Sequence, residues 1–208
     1  MPRISAALIE EHRETTRRAL FDAALELFAR QGYVETTLGA LADHAGIGRT
    51  TFYDYFTDKD DLLASLVEEY LPAVFESMIE EIPRSLSLRD RLAALVVSMV
   101  GFVATDPVFG VILHRDVPRI GPVAQRRIAA AHQNLITEFA RLYREGVEAA
   151  DFRKMPHDLA GRFVLDVVMS GARTLIRSGA PAERFQEVAE ETSRFLLGGL
   201  SAREQRHG

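Results

Sequence analysis

Apolar residues recur along most of this chain at intervals of three and four, the spacing of one face of an α-helix. Phe21, Ala24, Leu25 and Phe28 form the first such stripe, and Gly32, just after Gln31, supplies its stop. Thr37 is placed to cap a short second helix that is lined by Leu38, Leu41, Ala42 and Ala45 and ended by Gly46. Only Gly46, Ile47 and Gly48 separate it from a third helix, predicted from Arg49 to about Phe56, with Ile47 set as a hydrophobic staple toward Phe52. Asp58 caps a fourth, with Asp61 three residues on and Leu62, Leu63, Leu66, Val67 and Tyr70 as its stripe. Pro72 is expected to kink or restart that helix.

The same pattern continues to the C-terminus. Ser87 and Asp90 have capping-box spacing for a helix ending near Thr105, and Asp106-Pro107 has the cap-then-proline order of a new start. Gly121-Pro122 opens a long helix toward Ala150, Pro156 another to about Ser178, and Pro181 a last one to about Leu200. The tail from Arg203 to Gly208 reads as frayed. No period-2 strand of useful length, internal repeat or low-complexity run interrupts this order, so the fold class is all-α.

Two short helices joined by three residues, the middle one apolar, make a helix-turn-helix. Leu41, Ala45, Ile47, Phe52 and Phe56 take the inward positions, which leaves Arg49, Thr50, Tyr53 and Tyr55 outward. Those side chains suit DNA. A guanidinium bonds a guanine edge bidentately, and a threonine bonds a base or touches a thymine methyl. Tyrosine hydroxyls and a lysine meet phosphate oxygens, which position a helix without reading sequence.

The run from Phe28 to Leu62 resembles the DNA-binding signature of TetR-family transcriptional regulators. Gly32, Thr36-Thr37, Leu41-Ala42, Ala45-Gly46-Ile47, Phe52-Tyr53, Tyr55-Phe56, Lys59 and Leu62 carry that likeness, which extends over about residues 16–70. The resemblance implies that Thr37, Arg49, Thr50, Tyr53, Tyr55 and Lys59 contact double-stranded operator DNA. Gly48 stands where a serine or threonine is often found; it removes one phosphate contact but still allows close backbone approach. Gly39 lies inside the second helix, where glycine costs roughly 1 kcal/mol against alanine. The resemblance further implies a DNA-binding domain over 1–58, an effector-binding and dimerisation domain over 59–208, and a repressor released by a small molecule.

Composition sets the limits of that reading. The 208 residues are 47% hydrophobic and 26% charged, ordinary for a globular protein. There is no cysteine, hence no thiolate nucleophile, disulfide or cysteine metal site. His114 and His132 have no partner at metal-ligand spacing, and no metal or cofactor is expected. G-x-S-x-G, phosphate-loop and H-E-x-x-H patterns are missing, so no catalytic residue is assigned and an enzyme is not expected. Met1 to Glu11 lacks the apolar core of a signal peptide, and the longest apolar stretch, Leu92 to Ala104, falls short of the roughly 20 residues that span a bilayer. A cytoplasmic protein with no membrane partner is the expectation. The net charge is −5, and the first 60 residues hold 7 basic against 10 acidic side chains. Bulk charge therefore does not favour nucleic acid, and the DNA reading rests on local arrangement.

Beyond residue 156 the pattern changes character. The Pro156 helix confines its charges to Arg162, Asp166, Arg173 and Arg177, and is otherwise apolar or small at Leu159, Phe163, Val164, Val167, Val168, Gly171 and Leu175. A helix so widely apolar needs burial on two sides. The last helix has one clear face of Phe185, Val188, Thr192, Phe195 and Leu196. Packing both against their copies gives a homodimer. Met99, Phe102, Phe109, His114, Phe139, Tyr143 and Met169 serve equally as pocket lining or as ordinary core, so effector-binding residues are left unassigned.

Overall fold

The structure, a computed structural model, describes residues 6–202. Among them are ten α-helices: α1 (Ala6–Gln31), α2 (Leu38–His44), α3 (Arg49–Phe52), α4 (Lys59–Glu80), α5 (Leu88–Thr105), α6 (Pro107–Val111), α7 (Pro122–Ala131), α8 (Gln133–Glu148), α9 (His157–Arg177) and α10 (Pro181–Leu200). A π turn (Ile112–Asp116) and a 3-10 turn (Val117–Arg119) link α6 to α7. The only extended pairing among the described residues is one bridge between Phe152 and Ser201. The all-α expectation holds; the tail reading over 203–208 lies outside the described residues.

Four boundaries differ from the periodicity. α1 begins near residue 6, well ahead of its apolar stripe. α3 ends at Phe52, because the N–H groups of Tyr53, Asp54 and Tyr55 bond carbonyls three residues back and the chain tightens into turns. α4 runs unbroken through Pro72, anchored on either side by the buried Leu71 and Phe75. The long helix expected from Pro122 is instead α7 and α8, separated at His132, whose N–H also bonds three residues back, to Ala129.

Contacts group the chain into two compact units, one of residues 1–69 with 111–128 and the other of 70–110 with 129–208. In the first, Leu20, Phe21, Ala24, Leu27 and Phe28 of α1 pack with Leu41, Phe52, Phe56, Leu62 and Leu66. The Phe56 ring lies 5.6 Å from Phe21 and 5.9 Å from Phe52. Segment 111–128 is fastened to this unit by polar contacts. Arg115 grips the wholly buried Asp116 with two bonds of 2.9 and 2.8 Å, and donates at 2.7 Å to the Phe28 carbonyl at the end of α1. Arg127 donates to Asp61 at 2.6 Å and holds Glu68 bidentately.

In the second unit α5 is central, packing on α8, α9 and α10. Ser87 caps it as the spacing predicts, accepting from the Asp90 N–H at 3.1 Å. Gly171 lets α9 approach α10 closely, since a Cβ there would lie 2.5 Å from the Thr192 hydroxyl. Met99, Phe102, Phe109, Phe139 and Tyr143 are buried, while His114 and Met169 are half-buried. Among the described residues no single helix is long and apolar enough to cross a membrane.

The Arg115–Asp116 pair gives a direct test of this packing. Arg115→Met strands a fully buried carboxylate, which is expected to cost about 3–5 kcal/mol, whereas the double variant with Asp116→Asn recovers much of the loss. Denaturant unfolding measures both; a single-variant loss below about 1 kcal/mol would show that the pair does not hold the segment.

Candidate nucleic-acid interface

The site begins with how the chain enters α2. Gly32 at φ +85° ends α1, and its N–H bonds the Phe28 carbonyl at 3.0 Å. Thr37 then caps α2, its hydroxyl accepting from the Ala40 N–H at 3.1 Å. That bond uses an acceptor and leaves the exposed hydroxyl proton to donate outward. Gly46 at φ +70° closes α2 in the left-handed conformation that glycine adopts without strain. Gly48, extended at φ −71° and ψ 148°, caps α3 with no side chain.

The four-residue α3 carries too little aligned backbone for a strong helix dipole, so the chemistry of this face lies mainly in its side chains. Phe52 is fully buried beneath it, while Gly48, Arg49, Thr50 and Tyr53 are exposed. Tyr53 keeps 52% of its surface and touches Phe52 only edge-on, at 5.8 Å between centroids. Tyr55 is half-buried, with the Arg13 guanidinium 5.9 Å from its ring. Arg13 thus brings a cation that sequence reading did not connect to the site; its signal lay in the early start of α1, before the apolar stripe begins. A Cβ on Gly39 would meet only the Thr37 hydroxyl, at 3.8 Å, so no protein atom demands glycine there.

Lys59 is used differently from what the resemblance implies. Its ammonium points into the loop before α2, donating to the carbonyls of Tyr33 at 2.6 Å and Thr36 at 2.8 Å, with Val34 at 3.4 Å. It also sits 4.2 Å from the centre of the Tyr33 ring. Burial holds its pKa below the usual lysine value. The Tyr33 hydroxyl donates to Asp60, whose other oxygen accepts from the Gly121 N–H at 2.7 Å. Burial, then this bond to a carboxylate, pushes the Tyr33 hydroxyl well above its ordinary range. An ammonium has three donors, and the carbonyls occupy them. Lys59 therefore shapes the loop that delivers Thr37.

The sequence profile described as "Bacterial regulatory proteins, tetR family" matches residues 20–66, and "Tetracyclin repressor-like, C-terminal domain" matches 85–200. The chain belongs to the TetR family. Members are DNA-binding transcriptional regulators rather than enzymes, with an effector-binding C-terminal domain. This TetR-family chain is 28% identical over 191 residues to the HTH-type transcriptional repressor KstR2 of Rhodococcus jostii, covering 89% of this chain and 91% of that protein. It is 23% identical over 135 residues to the fatty acid metabolism regulator protein of Bacillus subtilis, covering 65% and 70%. In fold it is similar to the crystal structure of FadR from Bacillus subtilis in complex with stearoyl-CoA, with TM-score 0.74 and 20% identity over 88% of this chain and 98% of that one.

Two substitutions separate reading from positioning at this face. Arg49→Ala is expected to weaken operator binding by about 1–3 kcal/mol per half-site and to relax preference at one base position. Lys59→Gln is expected to weaken binding while leaving its salt dependence unchanged, because no phosphate contact is lost. Binding to operator and scrambled DNA over a salt series measures both. A fall in the salt slope by about one for Lys59→Gln would make it a phosphate ligand after all, and equal losses on both DNAs for Arg49→Ala would remove it from base reading.

Proposed function

We propose that this chain is a repressor that binds operator DNA as a homodimer and leaves it when a small-molecule effector occupies the C-terminal domain. Residues 1–58 are the DNA-binding part and 59–208 the effector-binding and dimerisation part. The observation that carries the reading is the outward set on α3, with Arg49, Thr50 and Tyr53 exposed over a fully buried Phe52. In this reading Arg49 and Thr50 reach base edges, while Thr37, Tyr53, Tyr55 and the Gly48 backbone meet phosphates. Lys59 acts on DNA through the loop it holds. Repression is favoured because KstR2, a relative aligned over most of both chains, is named a repressor. Operator DNA places the protein in the cytoplasm.

The effector is proposed to be an acyl thioester. A relative is named a fatty acid metabolism regulator, and a protein of the same fold was crystallised with stearoyl-CoA. Its action requires two states that present the paired recognition helices at different separations, one fitting half-sites about 34–36 Å apart. A coupling of ~1–3 kcal/mol between the sites would change operator affinity about 5–150-fold.

Selecting bound sequences from a random DNA pool, followed by gel shift on the DNA upstream of the chain's own gene, tests the reading; binding without sequence preference would refute it. The dimer has its own test. The inner side of α9 is satisfied by Val164, Val168 and Leu175, yet Phe163 and Phe195 stay 51% and 74% exposed beside the half-buried Val167. A second copy of α9 and α10 would cover that face. Because Phe195 supports little of its own chain's core, Phe195→Asp is expected to leave the fold intact and weaken dimerisation by 2 kcal/mol or more, roughly 30-fold. Light scattering decides, and a wild-type monomer at micromolar concentration would dispose of the dimer.

A further inference from the structure

A second polar site lies away from the DNA-binding residues, in the unit of α5, α8, α9 and α10. The last turn of α4, the turn after it, the start of α5 and the middle of α8 enclose a cavity of about 450 Å3. That is more than ten times the roughly 30 Å3 of a water molecule and within the range of small-molecule sites. Ile79 and Ile82 give it an apolar wall; Arg84, Arg91 and Arg141 line it together with Glu80 and Glu138.

The three arginines are not equivalent. Arg141 is fully engaged: Nε and Nη2 hold the Glu138 carboxylate, and Nη1 donates to Glu145 at 2.6 Å. That clamp neutralises Glu138 and raises the Arg141 pKa further. Arg91 is left over. It is largely buried, its nearest carboxylate oxygen on Glu138 is 3.7 Å away, beyond hydrogen-bond reach, and its Nε is buried with no partner. Such an N–H has given up water and received nothing in return. Arg84 is exposed and makes no ion pair among the described residues. Two guanidiniums with unspent donors therefore share one cavity with an apolar wall; of its two carboxylates, Glu138 is already neutralised by Arg141, and Glu80 is exposed to water, which screens its charge.

We propose that this cavity binds an organic anion, with Arg91 and Arg84 gripping a carboxylate or phosphate group and Ile79 and Ile82 covering its apolar neighbour. A guanidinium fork matches either anion bidentately. A modest turn of the Arg91 head brings its Nε edge to the ligand, and binding then repairs the unpaired donor. The inference rests on the reading that this domain takes a small effector, and it assigns the place where that effector's charge is held. An acyl thioester offers phosphates in its carrier half, and a free fatty acid offers a carboxylate; the shared chemistry is an oxyanion joined to a less polar body.

Calorimetric titration of the full chain at low salt with coenzyme A, octanoate, inorganic pyrophosphate and inorganic phosphate tests it. The expected result is saturable binding of coenzyme A or octanoate, stronger than that of inorganic phosphate, and the stronger of the two identifies the oxyanion. Arg91→Gln and Arg84→Gln are each expected to weaken that binding about 10- to 100-fold, the range for a charge-assisted bond. Arg91→Lys, which keeps the charge and loses the fork, should fall between. Arg119→Gln, the same charge change on the exposed turn before α7, is the control. If Arg91→Gln does not fold, Arg84→Gln on the exposed residue still decides. No saturable binding of any of the four probes to wild type, or an equal loss in Arg119→Gln, overturns the proposal. Operator binding is measured separately by gel shift, so failure of the anion site leaves the DNA-binding reading standing, and the reverse is also true.

Discussion

The DNA-facing surface depends on the burial of one aromatic pair. A helix of four residues does not hold its own shape in water, because nucleation is costly and α3 has almost no propagation to offset it. Phe52 and Phe56 supply what the backbone cannot. Both are buried, packed on each other and, through Phe56, on Phe21 of α1. With Phe52 fixed at full burial, helical spacing turns Thr50 and Tyr53 outward, and Arg49 is exposed in the first turn of α3. The exposed polar face is thus a consequence of core packing, and a cavity at Phe52 would disorder the recognition residues before it unfolded the rest.

Lys59 extends that logic to the approach to α2. The loop from Gly32 to Thr36 meets part of its own need, the Thr36 N–H reaching the Tyr33 carbonyl at 3.3 Å and the Thr36 hydroxyl the Gly32 carbonyl at 2.8 Å, but carbonyls buried with less than their full complement of partners are costly. The Lys59 ammonium gathers those of Tyr33 and Thr36, the Tyr33 ring covers the charge, and the Tyr33 hydroxyl passes the network to Asp60 and Gly121. Lys59, Tyr33 and Asp60 together therefore join the start of α4, the loop before α2 and segment 111–128. A cation at this position reads as a phosphate ligand in sequence because its acceptors lie more than twenty residues away and are backbone atoms, which carry no sequence signature.

The same division explains what else was legible. The helix-turn-helix could be read because its punctuation is local: Gly32 and Gly46 both take positive φ, Thr37 caps, and the inward positions fall at helical spacing. The Asp58–Asp61 cap of α4 is equally local, with the Asp61 N–H bonding Asp58 at 2.8 Å and the Thr57 N–H bonding Asp61 at 2.9 Å. Helix ends were misread where an apolar stripe outlasts the helix. Phe52 and Phe56 keep a four-residue interval although the chain between them has tightened into turns. Ile128, Leu135, Phe139 and Leu142 are each buried and fall at helical spacing in the sequence, although the helix breaks at His132. Periodicity reports which side chains are buried, not which carbonyl each N–H has chosen. Arg13 and the Arg84–Arg91 pair were invisible because their meaning depends on partners that the fold brings near or, for Arg91, fails to bring.

The acidic composition takes on a different meaning once the cations are located. Several arginines that composition counts toward a basic surface are spent inside the protein: Arg115 on Asp116, Arg127 on Asp61 and Glu68, Arg141 on Glu138 and Glu145, and Arg17 on Glu69. Lys59 is spent on carbonyls. Among the described residues, free cations near α3 reduce to Arg49 and Arg13. Non-specific affinity for DNA scales with phosphates neutralised, so a face this poor in charge binds random sequence weakly and with a shallow salt dependence. In the proposed reading, hydrogen bonds to base edges and hydroxyl contacts from Thr37, Thr50, Tyr53 and Tyr55 then supply a larger share of the total. A weak non-specific background widens the gap between operator and bulk DNA without requiring tighter operator binding, and that gap is the quantity on which a regulator's selectivity depends.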